Sequence, residues 1–61
     1  MGLKGYQWKI DNKIVMSFTF KDLTLDVWND TTKEEYEKFV EYIKVNNFEI
    51  VQTNLHNNKI N

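Results

Sequence analysis

The first half of the chain alternates apolar and polar residues, which is the pattern of strands that bury one face. This alternation covers three segments, Tyr6–Ile10, Lys13–Phe20 and Leu23–Trp28. Between the first two segments lie Asp11 and Asn12, which tolerate the positive φ angles of a tight hairpin turn. The pattern therefore predicts a three-stranded antiparallel meander.

The spacing of apolar residues changes to that of a helix after Asn29. Thr31 with Glu34, or Thr32 with Glu35, matches a capping box and predicts a helix start at residue 31 or 32. Apolar residues then recur at intervals of three and four, forming one stripe: Tyr36, Phe39, Val40 and Ile43. The asparagine pair at 46–47 is predicted to end the helix.

Phe48–Thr53 alternates again and predicts a fourth strand with Phe48 and Ile50 inward. The expected fold is α+β, in the order β-β-β-α-β, with the helix packed on one face of the sheet. The helical crossover predicts that the fourth strand runs parallel to strand one or strand three. We favour a place beside strand one, which gives the strand order 3-2-1-4. Residues 1–53 would form one small domain, and residues 54–61 a loose polar tail.

The predicted core consists of the apolar side chains on the faces directed at the helix. They are Tyr6, Trp8, Ile10, Ile14, Met16, Phe18, Phe20, Leu23, Leu25, Val27, Tyr36, Phe39, Val40, Ile43, Phe48 and Ile50. Val15, Trp28 and Val51 fall on the opposite face of the sheet, which a chain with one helix leaves uncovered.

The composition limits the classes of protein to which the chain can belong. Its 61 residues include no cysteine, which excludes disulfides and thiolate metal sites, and no apolar run long enough to cross a membrane. No signal peptide is recognisable, so a cytoplasmic location is expected. Abundant lysine, asparagine and isoleucine, without arginine, alanine or proline, suit an AT-rich genome such as that of a phage or prophage.

Catalytic chemistry has few candidate residues in this chain. Ser17 is the only serine and His56 the only histidine, and His56 is expected in the polar tail without other metal ligands nearby. The glutamates of the helix are expected on its solvated side, where they complement the helix dipole. We therefore expect a protein that is not an enzyme and has no cofactor and no metal.

A tryptophan on an uncovered sheet face, beside an acidic stretch, suggests contact with another protein. The alternative for Trp28 is that it folds over the helix start and is partly buried locally. Residues 22–41 contain seven carboxylates and two lysines, a charge that would steer a basic partner. The candidate partner-binding residues are Val15, Asp26, Trp28, Asp30, Glu34, Glu37 and Glu41. The favoured hypothesis is a small inhibitor or adaptor that binds a protein partner. Because so small a core is marginally stable, a homodimer through the open face around Val15 and Trp28, or through an edge strand, is also expected.

The alternative hypothesis is weak binding of single-stranded nucleic acid by the N-terminal hairpin. This hairpin combines aromatic residues with four lysines, Lys4, Lys9, Lys13 and Lys21, as such binders do. The formal net charge of −1 and the absence of arginine favour the protein-binding hypothesis.

Overall fold

The computed structural model describes residues 2–58, which form one four-stranded sheet and one helix. The elements are β1 (Gly5–Ile10), β2 (Lys13–Thr19), β3 (Thr24–Trp28), α1 (Lys33–Val45) and β4 (Gln52–His56). Strands β1, β2 and β3 are antiparallel neighbours, and β4 runs parallel to β3. The predicted α+β fold and the β-β-β-α-β order are confirmed.

Two predicted details of the last strand were wrong. The order in the sheet is β1-β2-β3-β4, so β4 lies beside β3 and α1 connects two adjacent parallel strands. The strand also begins at Gln52 and not at Phe48. Phe48 lies in the connection after α1, where it packs against the core and its ring stacks on Phe20 with centroids 4.6 Å apart. Asn54–His56 are therefore strand residues and not part of a loose tail, whereas residues 59–61 lie outside the described residues.

The turns of the meander use residues with positive φ. Asp11 and Asn12 have φ angles of 52° and 65°, the left-handed pair that a two-residue hairpin requires, so the predicted turn is confirmed. Leu23, before β3, also has a positive φ of 55°. Its carbonyl oxygen accepts a hydrogen bond of 2.9 Å from the Val51 N–H, which joins the start of β3 to the segment before β4.

The first turn of α1 is closed by the second of the two predicted capping boxes. The Thr32 hydroxyl accepts a hydrogen bond from the Glu35 N–H at 3.2 Å. The Glu35 carboxylate in turn accepts one from the Thr32 N–H at 2.9 Å. Both backbone donors are thus satisfied locally, which fixes the helix start at Lys33.

The last turn of α1 ends in a Schellman motif. Asn47 has a φ of 68°, and its N–H donates to the Lys44 carbonyl at 2.9 Å. The Phe48 N–H donates to the Ile43 carbonyl at 3.2 Å, so the chain turns directly from the helix into the core.

The core lies between α1 and the covered face of the sheet. Its buried members are Met16, Phe18, Leu25, Val27, Phe39 and Ile43. Partly buried side chains surround them: Tyr6, Trp8, Phe20, Leu23, Tyr36, Val40, Phe48 and Ile50. Of the other predicted core residues, Ile10 is half-buried and Ile14 is exposed.

A β-bulge in β2 explains why Ile14 and Val15 exchange their predicted environments. Trp8 pairs with Met16 and Lys9 pairs with Ile14, so Val15 is an extra residue on β2. Such a residue changes the direction of side chains along its strand. Val15 is 1% exposed and Ile14 is 38% exposed, so the predictions that Val15 is uncovered and that Ile14 belongs to the core were wrong.

Candidate interaction surfaces

The sheet face that points away from α1 carries a row of polar side chains. The strand registers align Gln7, Ser17, Asp26 and Asn54 across the four strands. Trp28 and His56, which are register partners, follow on the same side of β3 and β4. We call these six residues the open face.

Asp26 is the centre of a hydrogen-bonded group on the open face. Its Oδ1 lies 2.9 Å from Nε2 of His56 and accepts a hydrogen bond of 3.2 Å from the Asn54 amide. The Asn54 side chain is itself held by the Gln52 amide, which donates to Asn54 Oδ1 at 2.8 Å. Side chains on β4 are therefore fixed against the carboxylate of β3.

Trp28 stacks on His56, with ring centroids 4.9 Å apart and planes inclined by 13°. The Trp28 side chain is half-buried, and its carbonyl oxygen accepts a hydrogen bond of 2.6 Å from the Asn58 amide. His56 thus contacts Asp26 through its Nε2 atom and Trp28 through its ring. The pair forms an ordered aromatic ledge at one end of the open face.

The placement of His56 was missed by the sequence-based prediction. It was expected in a loose tail, yet it lies in β4. The pairing of β4 with β3 brings His56 to the carboxylate of Asp26, 30 residues earlier in the chain. No local pattern indicates a contact of that separation.

The open face does not arrange its polar groups as a nucleophile and base. Asp26 lies between Ser17 and His56, which are two strand spacings apart, or roughly 10 Å. The imidazole therefore does not reach the hydroxyl, as a serine nucleophile requires. Among residues 2–58, no three histidine, cysteine or acidic side chains converge as metal ligands.

The acidic residues predicted to bind a partner divide between two sides of the molecule. Asp26 and Trp28 lie on the open face, whereas Asp30 in the loop before α1 forms an ion pair with Lys13. Exposed glutamates of α1 lie on the helix side of the sheet: Glu34, Glu37 and Glu41. Val15 is buried and is not available to a partner.

A second candidate surface is a groove between α1 and β4, of about 530 Å³. Its lining residues are Tyr36, Val40, Lys44, Phe48, Glu49, Ile50 and Thr53. We call it the α1–β4 groove. Glu37, Glu41 and Val45 border a shallower depression that shares Tyr36, Val40 and Lys44 with it.

The four lysines of the alternative hypothesis do not form one patch. Lys4 lies beside Phe20, whose N–H donates to its carbonyl, and Lys21 follows at the same end of the sheet. Lys9 and Lys13 lie at the opposite end, near the hairpin turn. The aromatic rings of β1 face the core, where Trp8 contacts Phe39 at a centroid distance of 5.7 Å.

Comparisons with protein families, with curated proteins and with solved structures give no match for this chain. Within the described residues, no helix has the length and apolar character needed to cross a bilayer.

Proposed function

We propose that the protein is a small non-catalytic interaction domain that binds a protein partner through its open face. The observation that carries this proposal is the Trp28–His56 ledge, which is hydrogen-bonded to Asp26 on a sheet face that α1 does not cover. Polar side chains are ordinary on the solvated face of a sheet, but an ordered tryptophan there is typical of a binding anchor.

The contacts within the open face favour tight recognition at low entropic cost. Because the Asp26 carboxylate holds both His56 and Asn54, these side chains have lost much of their rotational freedom before any partner arrives. The surface offered to a partner is therefore the stacked pair of Trp28 and His56 beside the carboxylate of Asp26. This combination suits a surface that presents an apolar side chain next to a lysine or arginine.

The biological role that fits this surface is that of a cytoplasmic inhibitor or adaptor. A chain of 61 residues without cysteine is suited to a reducing compartment, and its acidic residues would attract a basic partner surface. Asp26 provides negative charge on the open face itself. The glutamates of α1 would contribute to the long-range attraction and not to the contact.

The proposal is tested by capturing the partner and measuring its affinity for matched variants. The tagged protein is incubated with a lysate of its source organism, and the captured protein is identified and titrated by calorimetry. We expect Trp28→Ala to weaken binding at least about tenfold, the effect of losing an interface anchor. Val45→Ala removes an exposed apolar side chain from α1 and is expected to leave the affinity unchanged.

Two results would contradict the proposal. One is undiminished binding of the captured protein by a Trp28→Ala variant whose circular dichroism shows that it is folded. The other is salt-sensitive quenching of tryptophan fluorescence by single-stranded oligonucleotides that is lost in Lys9→Glu, which would favour nucleic-acid binding.

A further inference from the structure

The two outer strands of the sheet differ in how well their free edges are protected. Strand β1 contains Lys9, follows Lys4 and pairs with the bulged strand β2, and both charges and bulges discourage pairing with another chain. Strand β4 has the sequence QTNLH, with no lysine and no proline, and its pairing with β3 has no bulge. Within residues 2–58, no strand pairs with the outer edge of β4.

The side chains of β4 are also poorly covered. All of its residues except Asn54 are exposed, although those of the inner strands are largely buried. Leu55 points to the helix side of the sheet and is still 38% exposed. The ring contacts of α1 with the sheet are made to β1, where Tyr42 meets Tyr6 and Phe39 meets Trp8. The strand therefore presents both its backbone edge and an apolar side chain to an incoming strand.

The direction of the backbone groups follows from one hydrogen bond. The Val51 N–H donates to the Leu23 carbonyl on the β3 side. Because successive residues of a strand direct their N–H and C=O groups to opposite edges, Thr53 and Leu55 face β3. Gln52, Asn54 and His56 then direct theirs outward, and Asn54 is the middle one of the three.

We propose that a second copy of this chain pairs with the outer edge of β4, antiparallel and about a two-fold axis at Asn54. The two Asn54 residues then lie opposite one another, and Gln52 of each copy lies opposite His56 of the other. Each of these three pairs exchanges two main-chain hydrogen bonds, as opposed residues do in an antiparallel ladder. The two four-stranded sheets become one continuous sheet of eight strands.

Charge and side-chain contacts make a second copy the fitting occupant. A segment that pairs with itself brings equal charges together, and β4 avoids this penalty because it contains no lysine, aspartate or glutamate. On the helix side, Leu55 of each copy lies opposite Thr53 of the other and gains cover.

The dimer is expected to be weak. Two five-residue strands bury less surface than specific stable interfaces do, whose lower limit is about 1,200 Å². The dissociation constant of the dimer is therefore expected between about 10 and 100 µM. The inference does not rest on the proposed function, because pairing uses the backbone edge of β4 and Trp28 lies on β3, one strand further in.

Sedimentation equilibrium at protein concentrations from about 10 µM to about 1 mM tests the dimer. We expect the average mass to rise towards twice that of the chain. Asn54→Lys places two like charges at the two-fold axis and should weaken the dimer at least about tenfold. Gln7→Lys adds the same charge to the same face on β1, and it should leave the dimer unchanged.

A cross-link tests the register without depending on the lysine variant being folded. The chain has no cysteine, so Asn54→Cys introduces a single thiol. In the proposed pair the two Cα atoms are about 5.5 Å apart, within the range that a disulfide spans. We expect rapid oxidation of this variant to a covalent dimer, and slow oxidation of Gln7→Cys.

The proposal is overturned by a chain that stays monomeric at about 1 mM, a concentration well above the expected dissociation constant. It is also overturned if Gln7→Cys forms the covalent dimer as fast as Asn54→Cys, since the copies would then meet through another surface.

Discussion

Thr31 makes a buried side-chain hydrogen bond to the bulged segment of β2. The hydroxyl of Thr31 donates a hydrogen bond of 2.7 Å to the Val15 carbonyl oxygen, and Thr31 itself is buried. The loop before α1 is in this way attached to the middle of the sheet.

We expect Thr31→Val to reduce the free energy of unfolding by about 0.5–1.5 kcal/mol, because the buried hydrogen bond from the Thr31 hydroxyl to the Val15 carbonyl would be lost. Valine is close to threonine in shape, so packing changes little. Thr31→Ser keeps the hydroxyl and serves as the control, with a smaller loss. Urea denaturation measures the free energy of unfolding of the unchanged protein and of both variants. Equal values for Thr31→Val and the unchanged protein would contradict the role of this hydrogen bond.

Single residues were predictable where their environment follows from local alternation, and unpredictable where it follows from distant pairing. Phe18 and Leu25 are buried as their alternation predicts. Val15 was wrongly placed because one extra residue reverses the phase of a strand, and nothing in the local sequence marks the bulge. The contact of His56 with Asp26 requires the β3–β4 register, which single-sequence periodicity does not contain.

The elements of the fold were predicted to the extent that their ends carry specific signals. The Asp11–Asn12 turn and the capping box of α1 are both found. The fourth strand was misplaced, because the apolar alternation around Phe48 and Ile50 comes from a connection that packs on the core. The true strand, QTNLH, is exposed on both faces and therefore has little hydrophobic contrast.

The C-terminal end of α1 gives a prediction at the scale of an element. Asn47 holds a φ of 68°, where a Cβ atom costs about 1–2 kcal/mol unless the side chain tolerates this conformation. We expect Asn47→Ala to destabilise the protein by about 1 kcal/mol, and Asn47→Gly to match or slightly exceed the original stability.

Thermal unfolding measures this difference, since 1 kcal/mol shifts the Tm of a domain of this size by about 4–8 °C. Asn46→Ala is a partial control, because Asn46 has a negative φ but donates a side-chain hydrogen bond to the Tyr42 carbonyl. If Asn47→Gly lowered the Tm as much as Asn47→Ala, the side chain of Asn47 and not its backbone conformation would determine stability.

The whole molecule is a two-layer structure, with one helix over one sheet, and each of its uncovered parts has a distinct chemistry. The open face is polar around one tryptophan, whereas the outer edge of β4 is uncharged and lies beside the α1–β4 groove. An uncovered face was predictable from the count of elements. The identity of the free edges was not, because it depends on the placement of β4 beside β3.

The exposure of β4 has a consequence for the motions of the protein. Detaching this strand uncovers few buried side chains, so it costs less free energy than unfolding the sheet. We expect the backbone amides of Thr53 and Leu55, which face β3, to exchange with deuterium through local opening of β4. The amides of Phe18 and Asp26, which face β1 and β2, should exchange only on global unfolding. Hydrogen exchange monitored by NMR at increasing denaturant concentrations distinguishes local opening from global unfolding, because the rate of exchange through local opening hardly depends on denaturant. Identical denaturant dependence of both pairs would show that the four strands open as one unit. A chain that opens in this way would alternate between a closed sheet of four strands and an open sheet of three, with β3 as the outer strand of the open one.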